Sequence, residues 1–111
     1  MPKRIESVER LLQKELSSIL LREGDFPEGS LVTITKVQAF PNLQEAAVYI
    51  RVIPEGKTKE TLSFLGTKVY EIQQILNKRL RMRPVPKIRF AEDKELLLQE
   101  HVEKLFERIK E

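Results

Sequence analysis

The sequence predicts a small α+β protein with the element order αββαβα, in which helices cover a three-stranded sheet. Two observations indicate this fold class. Apolar residues recur every three or four positions in long segments, and two shorter β-branched segments on either side of a turn alternate as strands do. With 111 residues and 41% hydrophobic side chains, the chain fits a single domain spanning residues 1–111.

The first helix is predicted from about Ile5 to Arg22, with Ser7 suited to its first turn and Gly24 to its end. Two strands follow, with the sequences LVTITKVQAF and EAAVYIRVI, joined by the short turn PNLQ. They predict an antiparallel hairpin. The alternation in the first strand slips near Lys36, which predicts a β-bulge at that position.

A second helix is predicted from about Glu60 to Leu80, where apolar side chains again follow helical spacing. Gly66 lies inside this helix. Glycine costs roughly 1 kcal/mol relative to alanine in a helix, so a break or bend is expected near it. The helix should end before Pro84, because a proline disfavours helical geometry at the preceding residue, Arg83.

The segment VPKIRFAE predicts a third strand, and its two prolines favour the edge of the sheet or the start of a strand. Lys87 and Arg89 should share one face of this strand, while Ile88 and Phe90 share the buried face. A last helix is predicted from about Lys94 to Ile109.

The sequence offers little that could support catalysis. It has no cysteine, and its one histidine, His101, falls in an acidic stretch of the last helix, where a solvated role is expected. The acids Glu92, Asp93 and Glu95 precede or begin that helix, where negative charge is favourable, so they do not indicate a metal site. We therefore expect no enzymatic activity and no cofactor.

The chain also lacks features of export or membrane insertion. No apolar run approaches the ~20 residues that a membrane helix needs. The start, MPKRIESVERLL, lacks the apolar core of a signal peptide. We expect a cytoplasmic protein that does not bind membranes.

Positive charge is concentrated in the basic segment, residues 77–90, with the sequence NKRLRMRPVPKIRF. Residues 68–89 carry seven cations and only one acid, Glu71, whereas residues 1–67 have no net charge. Such a localised patch indicates a polyanionic partner. The seven candidate RNA-binding residues are Lys68, Lys78, Arg79, Arg81, Arg83, Lys87 and Arg89.

A structural role could explain part of this charge, because cations stabilise the end of a helix and protect an edge strand from aggregation. Those roles account for two or three cations but not for six without an acid between them. Aromatic residues make up only 6% of the chain, so base stacking is not indicated. The pattern favours contacts with RNA phosphates over reading of the bases.

Two stretches resemble the ribosome-binding factor A family of bacterial small-subunit maturation factors: FPEGSLVTITKVQAFPNLQEAAVYIRVI and LRMRPVPKIRF. The resemblance implies a type II K-homology-like fold. Members of the family carry an Ala-x-Gly kink in the second helix. The corresponding residues here are Lys68, Val69 and Tyr70, and Gly66 lies two positions earlier.

The resemblance also implies a function: binding to the free, immature small ribosomal subunit and its ribosomal RNA, with help in late RNA processing and in adaptation to cold. It implies a maturation GTPase as a further partner, and we expect a monomer. The alternative is a protein-interaction module that docks through its third strand and its final helix.

Overall fold

The computed structural model describes residues 2–23, 26 and 29–94. Its elements confirm the predicted order αββαβ, and the predicted last helix lies outside the described residues except for Lys94. His101 and Glu95 lie outside them as well. The elements are α1 (Pro2–Glu23), β1 (Leu31–Ala39), β2 (Glu45–Ile53), a 3-10 turn (Glu55–Lys57), α2 (Thr58–Arg79) and β3 (Lys87–Glu92).

Helix α1 begins earlier than its apolar pattern indicated. It starts at Pro2, and proline suits the first position of a helix because its missing N–H would have no intrahelical partner there. Ser7 therefore lies in the second turn, and its expected place in the first turn was wrong. The apolar stripe is confirmed: Leu12, Leu16 and Ile19 have no exposed surface.

The sheet has the strand order β1-β2-β3, with β1 antiparallel to β2 and β3 parallel to β2. The predicted bulge is confirmed. Ile34 pairs with Ile50 and Lys36 pairs with Tyr49, which leaves Thr35 as the extra residue in β1. Because of this extra residue, the apolar side chains on both sides of the bulge face the core.

Helix α2 runs from Thr58 to Arg79 as one helix, so the break expected at Gly66 does not occur. The helix also continues through residues 68–70, where the family has its kink. A single glycine costs a helix about 1 kcal/mol. Packing offsets this cost, since Leu65 and Leu76 of α2 are fully buried.

Both helices lie on one face of the sheet. Helix α1 packs on β1, α2 packs on β3, and the two helices contact each other. One continuous core fills the space between them, and Val48 and Ile50 of the central strand are fully buried in it. The opposite side of the sheet, here called the outer sheet face, carries Lys36, Tyr49, Arg51, Lys87 and Arg89. Among the described residues, no helix is long and apolar enough to cross a membrane.

The chain that leaves β3 is tied back to the other two strands. The backbone N–H of Asp93 donates to the carbonyl oxygen of Ile50 at 2.9 Å, and the Thr35 hydroxyl donates to the Asp93 carboxylate at 2.6 Å. Asp93 is therefore a buried hydrogen-bond acceptor. No group of three potential metal ligands occurs among the residues that the structure describes.

Candidate nucleic-acid interface

The basic segment begins at the last turn of α2, where two neighbouring cations have different surroundings. Lys78 is exposed. Arg79 lies between the helices, and its Nη1 approaches the Glu15 carboxylate and the Ser18 hydroxyl of α1, both at 3.3 Å. Its side chain is only 26% exposed. Arg79 thus stabilises the packing of α2 on α1, and Lys78 faces solvent.

The connection from α2 to β3, residues 80–86, is held down by apolar side chains and by one arginine. Leu80 and Pro86 are buried, whereas Arg81 between them is exposed. The Arg83 guanidinium folds back onto the helix end. Its Nη1 donates to the carbonyls of Leu80 and Met82, both at 2.7 Å, and its Nη2 donates to the carbonyl of Asn77 at 3.1 Å.

The bond to Asn77 satisfies a carbonyl that the end of α2 would otherwise leave without an intrahelical partner. The three bonds together fix the position of the guanidinium. Arg83 is therefore a structural residue that still presents its positive charge at the surface.

Strand β3 shows the predicted division of its two faces. Lys87 and Arg89 are exposed, Ile88 is buried and Phe90 is partly buried against the core. Arg89 lies 4.0 Å from the Glu45 carboxylate of β2, yet its side chain is 72% exposed. Such exposed pairs contribute little to stability, so the Arg89 charge remains available to a partner.

The carboxamide of Gln73 on α2 positions the start of β3. Its oxygen accepts the N–H of Ile88 at 2.9 Å, and its nitrogen donates to the carbonyl of Pro86 at 3.1 Å and to the Asn77 side chain at 3.0 Å. One side chain thus makes the two hydrogen bonds that a neighbouring strand would make there. This clamp aligns β3 with α2 and so sets where Lys87 and Arg89 project.

Lys68 is separated from the other candidates. It pairs with Glu71 one turn away, at 3.6 Å, and lines a pocket between the two helices together with Phe26 and Phe64. Leu62, Gly66 and Val69 of α2 line a groove beside β3, and Gln73 bonds to the Ile88 N–H of that strand. The fold therefore directs Lys68 to a different side of α2 from the basic segment.

The fold adds two cations that the sequence did not mark as candidates. Lys36 and Arg51 lie on the outer sheet face with Lys87 and Arg89, and the Lys36 ammonium sits 4.8 Å from the centre of the Tyr49 ring. The alternation of both strands could have identified this pair. Arg4 was a weaker candidate from the sequence, because glutamates alternate with the cations of the first helix and favour a solvated face. In the structure it lines a pocket together with Arg83. That shared pocket depends on tertiary packing and leaves no signal in the local sequence.

Two helices on one face of a mixed three-stranded sheet, with the last strand parallel to the central one and a basic helix-to-strand connection, define a type II K-homology-like domain. Solved structures share this fold. A crystal structure from Thermus thermophilus superposes with a TM-score of 0.67 at 20% identity, over 79% of this chain and 93% of that one. A solution NMR structure from Thermotoga maritima gives 0.67 at 30% identity, over 81% and 87%.

Sequence comparison extends this likeness to a family. The profile described as "Ribosome-binding factor A" matches residues 4–106. A protein of that name from Chlorobaculum parvum is 33% identical over 96% of this chain and 91% of its own length. Another, from Bdellovibrio bacteriovorus, is 35% identical over 82% and 69%. The chain belongs to the ribosome-binding factor A family.

A third structural match concerns a complex. A Thermus thermophilus ribosome binding factor A, fitted into the cryo-EM map of a complex with the 30S subunit, superposes with a TM-score of 0.64. It is 22% identical and covers 77% of this chain and 90% of that one. At this identity the match shows a shared fold.

Proposed function

We propose that this protein is a non-enzymatic assembly factor that binds the free, immature small ribosomal subunit through its ribosomal RNA. Its roles would be in late RNA processing and in growth in the cold, it would act in the cytoplasm as a monomer, and a maturation GTPase would assist its release. Family membership supports the ribosome as the target, as does the relative fitted into a 30S complex. Residues 1–111 would form one RNA-binding domain.

One observation supports contact with RNA through the basic segment. Lys78, Arg81 and Lys87 are exposed at the end of α2, in the connection and at the start of β3, and no ion pair involves them within the described part of the chain. A buried framework of Leu80, Pro86 and Ile88 holds the segment that carries them. Exposed cations without an ion-pair partner among the described residues, carried on a buried apolar framework, suit the phosphates of folded RNA.

The seven candidates do not contribute equally in this proposal. The exposed Lys78, Arg81, Lys87 and Arg89 are the main phosphate ligands. Arg83 adds its charge from a fixed position. Arg79 and Lys68 already have carboxylate partners, at 3.3 Å and 3.6 Å, so we assign them a minor share. They are retained as candidates because their pairs can open when RNA approaches.

The test replaces two exposed cations with acids. We expect the double variant Arg81→Glu/Lys87→Glu to lose co-sedimentation with immature small subunits and to bind naked ribosomal RNA roughly tenfold or more weakly. The control, Lys14→Glu/Lys59→Glu, makes the same change of net charge on exposed residues of α1 and of the first turn of α2. Equal loss in both variants would show that only net charge matters and would reject the assigned surface.

The outer edge of β3 favours the alternative, a protein-interaction module. The backbone N–H groups of Lys87 and Asp93 point to β2. Because successive N–H groups of a strand alternate in direction, those of the even-numbered residues of β3 point away from β2, to the open edge of the sheet. Gln73 occupies only the Ile88 N–H, which leaves the N–H of Phe90 at an edge beside an apolar groove of about 250 Å³. A peptide strand could pair there.

The two functions respond differently to one experiment. If Arg81→Glu/Lys87→Glu loses a purified protein partner but keeps its affinity for ribosomal RNA, the interaction module is the correct function. If RNA affinity and subunit co-sedimentation fall together, the assembly factor is supported. The part of the alternative that involves the final helix concerns residues outside the described ones.

A further inference from the structure

A second cationic site lies at the end of the sheet where three distant parts of the chain meet. The first turns of α1, the turn between β1 and β2, and the connection from α2 to β3 enclose a surface pocket of about 280 Å³. Two of its eight lining residues are arginines, Arg4 and Arg83, and none of the eight is acidic. Two like charges facing one pocket without a counter-charge favour a bound anion.

Arg83 lines this pocket, and its guanidinium is already oriented. Three of its five N–H groups donate to the carbonyls of Asn77, Leu80 and Met82. Two N–H groups are left for a ligand. Because the side chain is already ordered, binding a ligand there costs little additional conformational entropy.

Asn42 is the other polar side chain that lines the pocket, and it also offers donors. The Asn42 side-chain oxygen accepts the backbone N–H of Gln44 at 3.0 Å, so its remaining hydrogen-bonding capacity lies mainly in its NH₂ group. Arg4 is exposed and takes part in no ion pair within the described residues. Partly buried Ile5, Leu43 and Met82 form apolar walls that weaken solvent screening.

We propose that this pocket binds a single phosphate group of the RNA backbone, with Arg4 and Arg83 as paired ligands and the Asn42 amide as a third donor. The site deepens the proposed function and rests on it. The planar fork of an arginine matches the oxygens of a phosphate, and two forks can hold one phosphate from two sides. None of its lining residues is aromatic, so the pocket suits a phosphate better than a stacked nucleobase.

The neighbouring cations favour RNA as the source of this phosphate. Arg81 and Lys78 continue the positive surface from Arg83 along the connection and the end of α2. A ligand with phosphates at regular intervals can occupy the pocket and this surface together. The pocket would then fix the register of the RNA backbone on the protein, without reading its bases.

The test compares two arginines of the same helix. Arg4→Gln removes a pocket ligand, whereas Arg10→Gln removes an equally exposed charge one to two turns further along α1. We expect Arg4→Gln to weaken binding to small-subunit ribosomal RNA roughly fivefold to tenfold and to reduce the salt slope of log affinity by ~0.7. Arg10→Gln should stay within about twofold of the unchanged protein, since losing one distant charge removes no direct phosphate contact.

Several results would contradict the assignment of a phosphate to this pocket. If Arg4→Gln and Arg10→Gln bind RNA equally well with the same salt slope, the pocket holds no phosphate, although the proposed function stands. If the unchanged protein does not bind the RNA at all, both proposals fail. A polyglutamate peptide that displaces RNA from the unchanged protein but not from Arg4→Gln would assign the pocket to an acidic protein.

A conservative variant separates charge from geometry. Arg4→Lys keeps the positive charge but loses the fork, so we expect an affinity between those of Arg4→Gln and the unchanged protein. Thermal unfolding of each variant excludes a folding defect, because Arg4 is exposed and its replacement should leave the midpoint unchanged. A lysine variant that binds as tightly as the unchanged protein would contradict a bidentate arginine contact.

Discussion

At the scale of single residues, Gln73 has the greatest influence on the shape of the candidate interface. Its carboxamide bonds to the Ile88 N–H, the Pro86 carbonyl and Asn77, and so joins α2 to the first residues of β3. A neighbouring strand would ordinarily supply the two backbone contacts. The direction in which Lys87 and Arg89 project therefore depends on an uncharged residue of another element.

Truncation of this clamp should destabilise the fold. We expect Gln73→Ala to lower the free energy of unfolding by about 1–3 kcal/mol, because it leaves a partly buried N–H and carbonyl without partners. Urea denaturation would measure the change. Gln74→Ala is the matched control, since Gln74 is exposed on the same helix, and it should change stability by about 0.5 kcal/mol or less. Similar losses in both variants would contradict the clamp.

Arg79 illustrates how one cation of a basic segment can be structural. Its contact with Glu15 joins the two helices, and both side chains are about a quarter exposed. We expect Arg79→Gln to cost about 1 kcal/mol of stability, because the partly buried Glu15 carboxylate loses its partner. The exposed pair Lys68–Glu71 serves as the comparison, and Glu71→Gln should cost about 0.5 kcal/mol or less.

A double-mutant cycle checks this assignment. Combining Arg79→Gln with Glu15→Gln should show a coupling free energy of about 0.5–1 kcal/mol. Its absence would mean that Arg79 does not hold the helices together. Arg79 would then become a stronger candidate for contact with RNA.

At the scale of elements, α2 remains one helix despite its central glycine. The space around Gly66 is open, with no atom within 4 Å of a side-chain Cβ built there. We expect Gly66→Ala to raise the free energy of unfolding by about 0.5–1 kcal/mol through better helix propensity. Gly29 should behave in the opposite way, because its φ of +82° is unfavourable for alanine.

The RNA affinity of Gly66→Ala provides a functional measurement in addition to its stability. Gly66 lines the groove between α2 and β3, and a methyl group would narrow that groove. If RNA follows the basic segment alone, Gly66→Ala should bind as well as the unchanged protein. Weakened binding in a stabilised variant would extend the interface into the groove.

At the scale of the whole molecule, the fold places exposed cations on a rigid and largely apolar framework. Binding by phosphate contacts should release counterions, so log affinity for ribosomal RNA should fall with log salt concentration at a slope near −3, taking about four contacts and ~0.7 for each. Filter binding or fluorescence anisotropy over a range of salt concentrations would measure it. A slope near zero would rule out the phosphate mechanism.

The elements and their faces could be predicted from the sequence because they depend on local periodicity. The helical stripe of α1, the alternation in β2, the bulge beside Lys36 and the division of β3 into charged and apolar faces are all present in the structure. The concentration of cations in residues 77–90 was visible for the same reason. The first residue of α1 was missed, because a single residue changes the end of a helix by only about 1 kcal/mol.

Only the tertiary structure shows which cations stabilise the fold and which face solvent. Nothing in the local pattern distinguishes Arg79, held by Glu15 of another helix, from Lys78 beside it. The pocket that Arg83 lines together with Arg4 likewise forms only when segments about 80 residues apart are packed together. Periodicity records which way a side chain points within its own element, whereas the partner that it meets there is set by the packing of the elements.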